Sequence, residues 1–138
     1  MLGSSTVIAV VAVSDLEKGK DFYGGTLDLR PSDTDEPGGV LYTCGGGSQV
    51  LVYQSSYAGT NQATTASWQV TDIDQEIAQL KAKGISFEHY ELPNATLDGD
   101  VHVMGNLKAA WFKDPDGNIL NIVSRGSAGA ETSSAASG

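Results

Sequence analysis

Two histidines and the acids around them are the residues of this 138-residue chain best suited to chemistry. Asp98, Asp100 and His102 alternate, so an extended segment would point all three one way, and Glu88, His89 and Glu91 precede them. Such a set could hold a divalent cation, or His102 or His89 could act as a general acid or base. Against this stands the ordinary behaviour of acids in a negative chain, which is to face solvent. The one cysteine, Cys44, cannot form an internal disulfide, and no adjacent basic residue or helix start would activate its thiol. No nucleophile constellation, phosphate loop or dinucleotide fingerprint is present.

The elements that would position these residues follow from pattern and punctuation. The stretch WFKDPDGNILNIV, Trp111 to Val123, reads as a hairpin: apolar runs flank Asp114-Pro115-Asp116-Gly117-Asn118, where Pro presets φ and Gly accepts the positive φ of a tight turn. Val13-Ser14-Asp15-Leu16 recurs 57 positions later as Val70-Thr71-Asp72-Ile73, each copy following a strand-like run and preceding a helix. Ser14 with Glu17, and Thr71 with Asp74, have the spacing of capping boxes. In the second helix Ile73, Ile77 and Leu80 form one apolar stripe that ends before Gly84; in the first, Leu16, Phe22 and Tyr23 supply the buried face. Strands are expected at 29–34, 40–44 and 49–54, with Gly45-Gly46-Gly47 turning the last pair, and again at 86–92, 107–113 and 118–124.

The pattern is an α+β fold of two βαβββ modules, about 6–54 and 63–124, within one domain over 1–125. Matching Gly47 to Gly117 widens the offset to 70, which assigns 13 extra residues to the second module. Pro93–Asn106 is their home, read as a long loop of the kind that often serves as a lid. Residues 126–138, nearly all Ser, Ala and Gly, read as a disordered tail. Eight basic against 17 acidic residues give a net charge of −9, which repels nucleic acid and anionic membranes. The apolar run Val7–Val13 lacks preceding basic residues, so neither a signal peptide nor a membrane span is expected and the cytoplasm is the expected location.

Paired βαβββ modules, the Val-Ser-Asp-Leu-Glu-Lys start with Phe22-Tyr23 downstream, and AAWFKDPDGN together resemble the vicinal-oxygen-chelate superfamily, which includes glyoxalase I, bleomycin-resistance proteins and extradiol dioxygenases. The resemblance covers roughly residues 6 to 124 and implies curved sheets enclosing a pocket. Metal-dependent members place His, Gln or Glu on the first and last strand of each module. Carried over by counting from the helix starts and hairpin turns, those positions fall on Ile8, Leu51, Thr65 and Asn121. Ile and Leu offer a cation nothing, Thr little, and Asn one neutral carbonyl. No metal and no other cofactor is therefore expected.

A pocket remains as the functional expectation. Residues in phase with the four positions share its wall, giving Ile8, Val10, Gln49, Leu51, Tyr53, Thr65, Ser67, Trp111 and Asn121, with Ile119 and Val123 alongside. Parity puts Trp111 on the cavity side and Phe112 and Trp68 under the helices. The resulting expectation is a metal-free protein that sequesters a hydrophobic or aromatic small molecule, as the bleomycin-resistance branch does. The alternative is a lyase, isomerase or dioxygenase with an atypical metal site or metal-free acid–base chemistry by His102 or His89. By resemblance, relatives of this length commonly complete their cavities with a second chain, so a homodimer is expected.

Overall fold

A computed structural model describes residues 1–34 and 36–126. The expected tail lies outside the described residues, apart from Gly126. Two compact units emerge: residues Met1–Ala66 together with Asp114–Ile119, and Ser67–Lys113 together with the chain from Leu120 onward. The DPDGN turn thus groups with the first unit, although it lies in the sequence of the second module.

The first unit is built on a four-stranded sheet in the order β1-β4-β3-β2, formed by β1 (Ile8–Val13), β4 (Gln49–Gln54), β3 (Gly39–Thr43) and β2 (Arg30–Pro31). β1 runs parallel to β4 and the other pairs are antiparallel, so a helical crossover must join β1 to the rest. That crossover is α1 (Leu16–Lys20), which widens into a π-helical turn over Asp21–Thr26. Phe22 and Tyr23 on this turn close over Val11, Val13, Tyr42, Val50 and Val52, all buried. Gly19 suits this packing: a Cβ would lie 3.0 Å from Val13 Cγ2, a tight contact, because the helix lies close on the strand.

The second unit carries a six-stranded sheet in the order β5-β10-β9-β8-β7, with β6 also on β9. Its strands are β5 (Thr64–Gln69), β6 (Phe87–Glu88), β7 (Thr96–Asp98), β8 (Val101–Met104), β9 (Leu107–Lys113) and β10 (Ile119–Arg125). α2 (Ile73–Ala82) packs on β9 and buries the expected stripe of Ile73, Ile77 and Leu80. Under it Phe87 and Phe112 meet edge to face with ring centroids 5.7 Å apart. Trp68 is half-buried rather than part of this closed core, in keeping with the size of an indole.

Three expectations are corrected. Both helices are capped one residue later than the capping boxes suggest: Asp15 accepts the N–H groups of Glu17 and Lys18, and Asp72 that of Gln75. A carboxylate is the stronger acceptor at the positive end of a helix, and it displaces the neighbouring hydroxyl. Second, the long loop of 93–106 contains the hairpin β7–β8, turned at Gly99 with φ +63° and paired Leu97 to His102 and Asp98 to Val101. The thirteen extra residues therefore widen the sheet. Third, β2 and β6 are only two residues long where six and seven were expected.

Candidate functional site

Alternation splits each sheet into a helix-covered side and an opposite side, which in the first unit is open. In the first unit the open side carries Ile8, Val10 and Ala12 on β1, Gln49, Leu51 and Tyr53 on β4, and Gly39, Leu41 and Thr43 on β3. Register sets Val10 beside Leu51, and Leu51 beside Leu41. These side chains are not sealed: Ile8 is 41%, Val10 49% and Tyr53 39% exposed, whereas Val11 and Val52 on the opposite side are fully buried. The expected site residues of this unit are thus brought onto one apolar, accessible face. Thr65, at the start of β5, is half-buried. A separate recess of about 250 Å³, lined by Lys18, Asp21, Phe22, Thr26 and Pro115, contains none of them.

The DPDGN turn fastens this unit from within. Asp114 is buried, and its carboxylate accepts from the Tyr23 hydroxyl at 2.7 Å, from the Asp116 and Asn118 N–H groups at 2.9 and 2.8 Å, and from Asn118 Nδ2 at 2.8 Å. Asn118 Nδ2 also donates to Ala12 O at 2.7 Å, tying the turn to the end of β1. Asp116 accepts from the Ser14 N–H and hydroxyl, at 3.1 and 2.5 Å. The Tyr23 hydroxyl is pushed far above its ordinary range by burial first and then by the charge of Asp114, so it stays a proton donor. Ser14, expected as a helix cap, instead belongs to this clasp.

In the second unit the side of the sheet away from α2 holds a largely buried polar and aromatic cluster. Register pairs Glu88 with Trp111 and His102 with Ala109, which puts Glu88, Tyr90, His102, Ala109 and Trp111 on one side. Asp114 N–H bonds Asn118 C=O at 3.0 Å to close the β9–β10 hairpin, and counting outward from that pair sets Asn121 opposite Trp111. Trp111 meets His102 edge-on at 4.9 Å and Tyr90 edge-on at 5.6 Å. Trp111 and Phe112 face opposite sides of the sheet, with Phe112 buried on the α2 side. Ser67 is exposed on β5.

His102 is 1% exposed and committed on both ring nitrogens. Nε2 faces the Tyr90 N–H at 2.9 Å and must accept, so the proton sits on Nδ1 and points to Ala109 O at 3.3 Å. Both ring nitrogens are thus engaged within the fold, linking the Tyr90 backbone to that of Ala109. His89 is half-exposed, and its Nε2 lies 2.8 Å from Asp100 Oδ1. Lys81 Nζ reaches the other oxygen of Asp100 at 2.6 Å. The hydrogen bonds from Lys81 first and His89 second hold the Asp100 carboxyl below its usual range. Because Gly99 reverses the chain, Asp98, Asp100 and His102 do not point one way, and among the described residues no three His, Cys, Asp or Glu side chains gather as a metal site.

The metal positions implied by resemblance do not fit a cation either. Ile8 and Leu51 present hydrocarbon, and Asn121 presents one neutral amide. Two polar atoms of the second unit are buried without a hydrogen-bond partner: Asn121 Oδ1 and the Tyr90 hydroxyl. Burial, with Glu88 second, raises the Tyr90 pKa, so that hydroxyl also keeps its proton. Sequence reasoning missed Tyr90, although the same parity applied to Glu88 would have found it.

A family model described as the glyoxalase/bleomycin resistance protein/dioxygenase superfamily matches residues 6–122. The chain belongs to this superfamily. Among solved structures of similar fold is TnmS3, an antibiotic-binding protein from Streptomyces sp. CB03234, at 23% identity and TM-score 0.67 over 91% of this chain and 98% of that one. A superfamily member from Sphaerobacter thermophilus DSM 20745 aligns at 25% identity and TM-score 0.65, over 91% and 100% of the two chains. A lactoylglutathione lyase from Agrobacterium tumefaciens aligns at 17% identity and TM-score 0.62, over 88% and 93%. No curated protein sequence matches significantly. The glyoxalase-superfamily fold thus accounts for the paired modules, and among the described residues no helix is long and apolar enough to cross a membrane.

Proposed function

We propose that this superfamily member binds a hydrophobic or aromatic small molecule without a metal. The observation that carries the reading is chemical: where metal-dependent relatives would place ligands, Ile8 and Leu51 join Val10, Leu41 and Tyr53 in one accessible apolar face. Water is held poorly on such a face, and a planar apolar molecule would release it. The second unit, taken by itself, also presents an aromatic side chain, Trp111, with Asn121 across the hairpin from it. The antibiotic-binding neighbour supports binding as the function, at an identity that by itself speaks only for the fold.

The experiment titrates the full chain with 2-naphthol by calorimetry, and saturable binding is expected. Val10→Asp is expected to weaken it at least tenfold, since it sets a charge in the apolar face of the first unit. A wild type without saturable binding, or a Val10→Asp protein that binds unchanged, would contradict the assignment.

A further inference from the structure

Asn121 is only 7% exposed, and its Oδ1 has no donor. An orphaned buried carbonyl costs stability, and a leucine of nearly equal size would avoid that cost. Its location is specific: it stands across the hairpin from Trp111, on the side of the sheet that also carries Tyr90, whose hydroxyl is likewise buried without a partner among the described residues. Two unsatisfied polar atoms on side chains that neighbour one indole have the character of recognition groups that lack their counterpart. His102 fits the same account, because it fixes the Tyr90 backbone through its ring nitrogen and packs against the edge of Trp111.

We infer that Asn121 Oδ1 receives an N–H or O–H of the ligand, which makes the ligand an aromatic molecule with a hydrogen-bond donor on its rim: a phenol, an aryl amine or an amide. This rests on the binding reading above. It adds to that reading a selectivity that apolar contact alone would not give. A donor-bearing aromatic satisfies the buried carbonyl, whereas its alkylated analogue leaves the carbonyl orphaned and brings a methyl group against it.

A matched pair of probes isolates the donor. Binding of 2-naphthol and of 2-methoxynaphthalene to the full chain is measured by calorimetry, for the wild type and for Asn121→Leu. The wild type is expected to prefer 2-naphthol by roughly threefold to tenfold, the worth of one hydrogen bond. Asn121→Leu is expected to lose that preference, bind 2-methoxynaphthalene at least as well as the wild type, and melt at a higher temperature without ligand. Equal binding of both probes by the wild type, or an undiminished preference in Asn121→Leu, would overturn the role given to Asn121 and leave the binding reading intact. Failure of both probes to bind the wild type would overturn the binding reading and this inference with it. If Asn121→Leu fails to fold, the wild-type preference and the same comparison in Asn121→Ala decide.

Discussion

Asp114 carries four acceptor contacts, and its two oxygens divide them: one takes the Asp116 and Asn118 N–H groups, the other the Tyr23 hydroxyl and Asn118 Nδ2. Every partner is a donor, so the site demands a side chain with acceptors on both ends. Asp114→Asn is expected to cost about 2–4 kcal/mol, because its amide would turn two donors toward a donor in a buried place. Tyr23→Phe removes one donor and leaves the carboxylate three, so about 1–2 kcal/mol is expected. Urea denaturation of the two variants measures the difference, and equal losses would contradict this division of the contacts. Gly59 is bound to the same turn. With φ +74° its missing Cβ would lie 2.0 Å from Asp116 O, so no other residue fits there without moving the backbone.

At the scale of elements, the caps and one ion network set how α2 is held. Asp72 accepts the Gln75 N–H at 3.1 Å, and Asp72→Ala is expected to lose about 1 kcal/mol, while Thr71→Ala loses a few tenths. Thermal melts of the two variants test the order. At the other end of α2, Lys81 reaches Asp100 beside the β7–β8 turn, and His89 takes the second oxygen. The Asp100 carboxyl is lowered in the fold, by Lys81 first and His89 second. Its contribution is therefore present above the ordinary aspartate value near ~4 and is lost as pH falls below it. Asp100→Asn is expected to lower the melting temperature at pH 7, with the difference closing below about pH 4. A difference that persists in acid would show that the side chain acts by packing. Partial exposure and salt screening keep the effect small.

For the whole molecule, the net charge of −9 and the donor-poor positions of the superfamily set the expectations. The purified protein is expected to carry well under one transition-metal ion per chain, because Ile8 and Leu51 provide no lone pairs where relatives coordinate. Elemental analysis giving about one ion per chain after dialysis, abolished by substitution at Thr65 or Asn121, would refute this. We also propose a homodimer, in which Ile8 and Val10, together with the exposed Leu2 and Val7 ahead of β1, would be covered in part by the second copy. Light scattering at micromolar concentration checks it, and a monomer mass would sink it.

Periodicity and turn chemistry alone determined much of this protein. The Ile73, Ile77 and Leu80 stripe, the β9–β10 hairpin and the opposite facing of Trp111 and Phe112 follow from repeats of 3.6 and 2, which are local properties of the chain. The absence of donor side chains at Ile8 and Leu51 was equally legible, since it needs only residue identity and a count from two motifs. What the sequence left open depends on partners far along the chain. Whether Ser14 accepts a helix N–H as a cap or donates to Asp116, 102 positions away, depends on which partner packing brings within reach. The partners of His102, the Tyr90 N–H and Ala109 O on its two ring nitrogens, were likewise invisible in the sequence. The loop of 93–106 became a hairpin because β9 offered an edge that β6, two residues long, leaves uncovered beyond Trp111 and Phe112. Asn121 is the same case in reverse: its type was plain from the start, but a carbonyl without a donor exists only once burial has removed the water that would have satisfied it.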